Sequence, residues 1–381
     1  MISVSIPSPW ATMARSIGVW ASQRNISVWA VGGCVRDWIL ERPTKDLDLV
    51  VEKDWEKVVR FCSNKWGGTL ETFNQFKTAR LQLHHGVHLD FARTRSEVYP
   101  KPAMLPKVSF TPLQKDLLRR DFTINAMAVS LHPSQWGNLV DPTGGYADLK
   151  KGILRILHPN SFRDDPTRLW RVARFLCRFK FRLEKETAEK MKEALKAGYP
   201  ELLSRERIRG ELLRILEEKD PACPFRKLKD LGLISLFHPQ FDWNPSDFET
   251  ADSQVRLGLL CLKMGDSGKS FLKSLHLERP VSQSIQMAFQ VLQERASPRV
   301  EIPALARDIL VAYAPSTSPT ALSPLCVSGR DLAELGVPEG KEYSVLLNQA
   351  AQAQWKGIFS NRSGGLQWLR RRIKNRHSPS E

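Results

Sequence analysis

Val31-Gly32-Gly33-Cys34-Val35-Arg36-Asp37, followed a few residues later by Lys45-Asp46-Leu47-Asp48-Leu49, is the stretch on which the reading of this chain turns. Glycines at a strand-to-helix turn let backbone N–H groups approach phosphate oxygens, and Arg36 is placed to grip the same oxygens. In an extended strand residues i and i+2 share a face, so Asp46 and Asp48 project together while Leu47 and Leu49 point the other way. Two such carboxylates are the donors that hold a divalent cation against a triphosphate. Taken singly, a glycine pair is an ordinary turn and an Asp-x-Asp an ordinary solvated strand face; in this order and spacing they make one site.

Working outward, Trp10, Met13, Ile17 and Trp20 recur at helical spacing and predict a helix over 9–23. Ser27–Val31 predicts a strand feeding the glycine turn, Asp46–Val51 a second strand, and 54–65 a helix ending near Gly67-Gly68. Ala79–Leu83 and Val87–Ala92 predict a hairpin about His84-His85-Gly86. Histidines 84, 85 and 88 then belong to a turn rather than to a metal cluster. On the second hairpin strand, Asp90 shares a face with His88 and Ala92, and is the candidate third carboxylate; its ordinary alternative is an ion pair with Arg93 or Arg95.

Beyond residue 164 strand signals nearly vanish. Pro166, after Asp164 or Asp165 as a cap, opens a helix, and helical patterns continue through 186–197 and 205–218. On that first helix Asp165, Arg168, Arg171 and Arg174 form one stripe. Two other runs carry polar chemistry: Arg119-Arg120-Asp121-Phe122-Thr123-Ile124-Asn125, and Asp141-Pro142-Thr143-Gly144-Gly145.

In this order the motifs resemble those of the class II tRNA nucleotidyltransferases (CCA-adding enzymes) and bacterial poly(A) polymerases, specifically from about Val28 to Leu216 and more loosely over Gly329–Gly357. The resemblance implies an α+β fold: a small mixed-sheet, polymerase-beta-like head over 1–150, then an all-α neck (151–220), body (221–320) and tail (321–381) that binds tRNA. It implies catalysis by Asp46, Asp48 and Asp90, with Asp46 and Asp48 on Mg2+. Nucleotide contacts are implied for Gly32, Gly33, Arg36, Arg119, Arg120, Asp121, Asn125, Asp165, Arg168, Arg171 and Arg174, and a hinge at Gly144-Gly145. Where the family has Glu-Asp, this chain has Asp164-Asp165, keeping the charge on a shorter first side chain.

Base choice follows from hydrogen-bond polarity. Cytosine and adenine each present an amino donor beside an acceptor ring nitrogen; uracil and guanine present the reverse. A carboxylate accepting from the amino group and a guanidinium donating to the ring nitrogen admit C and A and leave buried groups unpaired with U or G. Asp165 and Arg168 are then an amino-acid template, and the implied reaction is addition of CMP and AMP from CTP and ATP to a tRNA 3′ end. An A-adding or CC-adding specialist, a poly(A) polymerase and an inactive RNA-binding relative stay open. The stretch 95–106, shortened in CC-only members, is full length here.

Bulk properties agree. A net charge of +16 over 381 residues favours a polyanionic partner. No apolar run approaches the roughly 20 residues of a membrane span, and residues 1–10 lack a basic region followed by an apolar core, so a cytoplasmic protein is expected. Six scattered cysteines without Cys-x-x-Cys spacing read as free thiols of a reducing compartment. No histidine precedes an aspartate, so a metal-dependent phosphohydrolase signature is lacking. Arg370–Arg376 reads as a basic tail.

Overall fold

A computed structural model describes residues 2–8, 10–73, 77–250, 252–315 and 321–377. The side chains of His85 and of residues from 375 onward, named above in the hairpin and the basic tail, lie outside the described set. The chain forms two compact units, Met1–Arg207 and Ile208–Glu381.

The first unit runs α1 (Trp10–Ser22), β1 (Val28–Val31), α2 (Gly33–Ile39), β2 (Asp46–Val51), α3 (Trp55–Trp66), β3 (Thr69–Phe73), β4 (Thr78–Gln82), β5 (His88–Arg93), β6 (Arg95–Val98), β7 (Lys107–Phe110), α4 (Leu113–Leu118), β8 (Ala128–Ser130), β9 (Leu139–Val140), α5 (Gly145–Lys151), β10 (Ile153–Leu154), α6 (Ser161–Asp164), α7 (Arg168–Phe179), β11 (Arg182–Leu183), α8 (Lys185–Lys196) and α9 (Arg205–Leu216), the last continuing into the second unit. Seven strands make one mixed sheet in the order β3-β4-β5-β2-β1-β8-β9. Within this sheet, among the described residues, β2 and β5 are parallel neighbours and the other pairs are antiparallel. The α+β fold expected from the sequence is present.

Alternation along the strands builds the core. Leu47 and Leu49 of β2, Leu89 and Phe91 of β5 and Leu81 of β4 are sealed from solvent, and α3 packs on β4 and β5 with Val58 and Val59 buried. On the face that carries the aspartates, Val31 and Val50 pack with Leu113 and Leu117 of α4 and with Ala126 and Ala128. Ile124, Ala126, Met127 and Ala128 are fully buried, as packing residues should be.

Three differences from the sequence reading have physical causes. The helix read from Pro166 begins at Arg168, because Asp165 sits at φ −136°, ψ 89°. The residue before a proline is pushed out of the helical region, so Asp165 ends α6 and precedes α7 instead of belonging to its stripe. Strand β3 was not anticipated because it is exposed along its whole length and shows no alternation. Four cysteines, Cys34, Cys62, Cys261 and Cys326, are free thiols as expected, but Cys177 and Cys223 are in disulfide form, which spacing alone could not reveal.

In the second unit helices follow one another throughout. Phe225 gathers Phe237, Phe241, Trp243 and Phe248 at ring separations of 5.4–6.0 Å. Buried Arg256 donates to the carbonyls of Leu216, Glu218, Phe248 and Thr250, satisfying chain ends that would otherwise be orphaned. Toward the C-terminus, Ser328 and Asp331 form a capping box on the helix Gly329–Glu334, and Arg362 forks onto Asp331. The segment read as a basic tail is part of the helix Arg362–His377. No helix among the described residues is long and apolar enough to cross a membrane.

Candidate active site

Strand β1 runs into Gly32, whose φ of +71° turns the chain into α2. A side chain there is disfavoured by that left-handed conformation, and a Cβ would stand 2.9 Å from Nη1 of Arg120, which would have to move aside. Gly33 stands beside the carboxylate, its Cβ position 3.9 Å from Oδ2 of Asp48. The turn thus brings bare backbone up to both a carboxylate and a guanidinium.

A cavity of about 560 Å³ opens at this turn. Of the fourteen residues singled out from the sequence, all but Asp46 and Asp90 line it: Gly32, Gly33, Arg36, Asp48, Arg119, Arg120, Asp121, Asn125, Asp165, Arg168, Arg171 and Arg174. Asp90 lines a second cavity of about 530 Å³, on the sheet face, which shares Asp48 and Arg120 with the first. Asp46 lines neither. It sits on the same face of β2 as Asp48, one pleat away.

The carboxylates are in register. Asp48 of β2 is the direct cross-strand partner of Asp90 of β5. Burial first, and then the charge of Asp90, raises the Asp48 carboxyl to about 6. Among the described residues no three acidic, histidine or cysteine side chains form a ready cation cage. Asp48 at the cavity edge, with Asp46 on the same face of β2 close enough for its charge to raise the Asp48 carboxyl as well, nonetheless fits a hard divalent ion of the kind held by one or two carboxylates together with substrate phosphates.

The arginines divide by partner. Arg36, proposed from sequence as a phosphate grip, is committed within the protein: it forks onto Asp37 at 2.8 and 2.9 Å and donates to Asn125 Oδ1 at 2.6 Å. It also lies over the rings of Phe179 and Phe175. Its place is to hold the glycine turn against Asn125. Arg119 spans Asp116, Glu97 and the Arg95 carbonyl. Arg120 gives Nη2 to Asp116, but its Nε is buried with no hydrogen-bond partner. A buried guanidinium N–H left unpaired beside a glycine turn is the donor an anionic ligand would complete.

Asp121 is a buried hub. It accepts from the Asn125 amide, from its own neighbour's N–H, and from Nε and Nη2 of Arg171 at 2.7 and 2.5 Å. Burial pushes its carboxyl up, but Arg171, the Asn125 amide and Arg168 together outweigh that and pull it down to about 2. Asp121 and Asn125 therefore serve to frame the cavity wall and to anchor α7 to it.

Asp165 and Arg168 do not pair with each other. Asp165 Oδ1 takes the Thr167 N–H, the Thr167 hydroxyl and Nη2 of Arg207. Its Oδ2 has no hydrogen bond among the described residues, and Asp165 lines the cavity. Arg168 is nearly buried and fixed by Ser161 Oγ and the Arg119 carbonyl. One residue caps the turn and the other opens the helix, so both side chains are held before any ligand arrives.

Several lining residues were not named as site residues from the sequence. Arg207, on α9, bridges Asp165 and the carbonyl of Ala103 in the β6–β7 connection, which itself donates to the Arg163 carbonyl. Leu105, Pro106 and Val108 of that hairpin complete the wall. Asp116 is fully buried beneath Arg119 and Arg120, and its i−3 and i−4 spacing from them was a readable signal. Arg207 lies in the run Ser204–Leu212, which resembles the family's neck motif that stabilises the templating helix, but its partners, 42 and 104 residues away, left no readable spacing.

Comparison with known proteins agrees with this geometry. Residues 28–155 match the family model described as the poly A polymerase head domain, and residues 180–244 the one described as a probable RNA and SrmB-binding site of polymerase A. An A-adding tRNA nucleotidyltransferase of Geobacter sulfurreducens is 36% identical over 247 residues, covering 65% of this chain and 28% of that protein. One from Halalkalibacterium halodurans is 41% identical over 221 residues, covering 58% and 52%. This chain spans about half, or less, of the length of these curated relatives. The structure of a Thermotoga maritima CCA-adding enzyme complexed with tRNA superposes with a TM-score of 0.63 at 27% identity, covering 97% of each chain. By its head, its RNA-binding segment and the ordered motifs they contain, the chain belongs to the class II tRNA nucleotidyltransferase and bacterial poly(A) polymerase family.

Proposed function

We propose that the chain transfers CMP and/or AMP from CTP and ATP to the 3′ end of tRNA, choosing the base with an amino-acid template. The observation that carries this reading is that one cavity is lined both by the glycine turn, Asp48, Arg119 and Arg120 and by Asp165 and Arg168. In this reading one nucleotide meets the glycine turn and Arg120 with its triphosphate and Asp165 and Arg168 with its base. Asp48 and Arg120 also line the neighbouring cavity, which leaves room there for the primer's terminal ribose.

In this reading the divalent ion is magnesium, with Asp46 and Asp48 as its protein ligands. Such an ion, when bound, supplies charge neutralisation at the α-phosphate and lowers the pKa of an attacking 3′-hydroxyl. The protein's own part is positional. The glycine turn and Arg120 Nε orient phosphate oxygens. Asp121, Asn125 and Arg171 hold the wall beside the sugar, and Arg174 extends the basic lining. Asp165 Oδ2 accepts from the base amino group and Arg168 donates to the ring nitrogen. Residues 1–150 then act as catalytic head, 151–220 as templating neck, and 221–381 as body and tRNA-binding tail, working in the cytoplasm where tRNA and nucleotides meet.

Restriction to the final A is the second reading, favoured by the names of the two curated relatives above. Purified protein incubated with tRNAs ending before CCA, after C and after CC, with each NTP singly, separates the cases. CMP on the first two substrates and AMP on the third establishes CCA addition, and AMP on the third alone establishes the A-adding specialist. Incorporation of all four nucleotides equally, or of none, overturns the proposal. Unlimited AMP addition to any 3′ end would mark a poly(A) polymerase.

A further inference from the structure

Four charged residues stand in one row across the sheet: Glu71 on β3, Arg80 on β4, Asp90 on β5 and Asp48 on β2, each the direct cross-strand partner of the next. Cross-strand partners point to the same face, so the row forms a continuous charged strip bordering the second cavity. Within it Asp90 is not an idle carboxylate awaiting a ligand. Arg80 meets it fork to fork, Nε on Oδ1 at 2.8 Å and Nη2 on Oδ2 at 2.9 Å, so both oxygens are occupied. This bidentate geometry is the strongest that an arginine and a carboxylate form. The partners expected from sequence, Arg93 and Arg95, go elsewhere: Arg93 donates to the Glu52 carbonyl and Arg95 pairs with Glu97.

We infer that Arg80 is a positioning residue that withholds Asp90 from the divalent ion, leaving Asp46 and Asp48 as its only carboxylate ligands and setting a modest, readily exchanged cation affinity. This rests on the metal reading of Asp46 and Asp48 given above. The physical argument is about charge count. Three ionised carboxylates on two adjacent strands would form a strong cation trap, and affinity for hard cations rises with the number of ligand charges. Arg80 supplies a fixed positive charge to the third. Half-exposed at the cavity rim, it does so at a place where a mobile chain end or nucleotide can still approach. Asp90 then shapes the field at Asp48 without entering the coordination shell.

The test is Mn2+ binding to the full-length protein, read from the electron paramagnetic resonance signal of free Mn2+, with no nucleotide present. Arg80→Gln frees both oxygens of Asp90 and should tighten Mn2+ binding by about tenfold. Asp90→Asn in the otherwise unchanged protein should leave the affinity within about twofold, and the double variant should return to that level. Arg80→Lys, which keeps the charge but not the fork, should fall between the parent and Arg80→Gln. Asp48→Asn reports on the underlying reading and should weaken binding by about tenfold or more. If Asp48→Asn leaves Mn2+ affinity untouched, the metal site itself is misassigned and the inference falls with it. If Asp48→Asn weakens binding but Asp90→Asn weakens it equally, and Arg80→Gln does not tighten it, Asp90 is a direct ligand and this inference alone is overturned.

Discussion

Asp165 illustrates how one side chain divides its two oxygens between structure and recognition. Oδ1 is consumed by Thr167 and Arg207, Oδ2 takes no hydrogen bond among the described residues, and the residue lines the cavity in which the proposed base would be read. Asp165→Ala removes the acceptor for a base amino group without touching Asp46 or Asp48. Single-nucleotide incorporation on a truncated tRNA should then lose preference for C and A over U and G by about 1–3 kcal/mol while slow transfer persists. An unchanged preference would mean that Asp165 is only a cap. Asp121 makes a prediction in pH. Its folded value of about 2 lies below the roughly 3.9 of an unfolded aspartate, so its stabilising contribution is complete above pH 4. That contribution fades as pH falls from about 4 through about 2, because protonation releases Arg171. Asp121→Asn should therefore be less stable than the parent by on the order of 2 kcal/mol at pH 7 in urea titrations. The gap should narrow below pH 4; a gap of constant size would show that the charge is not what stabilises.

At the scale of elements, the glycine pair Gly144-Gly145 separates two demands that sequence cannot distinguish. Gly144 has φ +75° and open space around it, whereas a Cβ on Gly145 would stand 2.1 Å from the Thr123 carbonyl oxygen. The first needs a conformation, the second a close approach of α5 to the Thr123–Asn125 turn. Asp141 fixes the start of α5 by accepting from the N–H groups of Gly145 and Tyr146, and Asp148 ties it back to Thr123. Gly144→Ala should cost about 1 kcal/mol, the price of a left-handed residue with a side chain. Gly145→Ala must displace backbone and should cost about 2 kcal/mol or more, lowering the melting temperature by several degrees further than its neighbour. Equal melting temperatures in the two variants would show that α5 shifts freely, as a hinge rather than a packed helix.

For the whole molecule the dominant property is charge. A surplus of 16 positive charges in 381 residues, with arginines along the C-terminal helix, suits a long polyanion contacted at many phosphates. If tRNA binding engages about six phosphates, its affinity should fall by on the order of a thousandfold between roughly 50 and 200 mM salt. Filter binding or fluorescence anisotropy across that range measures the slope, and an affinity indifferent to salt would remove electrostatics as the basis of recognition.

What the sequence by itself determined was local. Alternation over Asp46–Val51, the glycine turn and the order of arginine and aspartate motifs were enough for the α+β class and for the family, because these signals rest on neighbours within a few residues. The residues that converge on the cavity come from β2, the glycine turn, the turn after α4 and the start of α7, so their meeting depends on how those elements pack. Tertiary structure alone decided what each charge is doing. Arg36 looked like a phosphate grip until folding brought Asn125 to it from 89 residues away. Asp90 looked like a free third carboxylate until strand pairing laid Arg80 across it. Asp165 and Arg168 looked like one helical stripe until Pro166 placed the first outside the helix and Arg207 took hold of it. The physical reason is common to all three. A charge in a folded protein is defined by its partner, and partners drawn from distant strands and helices leave no periodicity in the chain to be read.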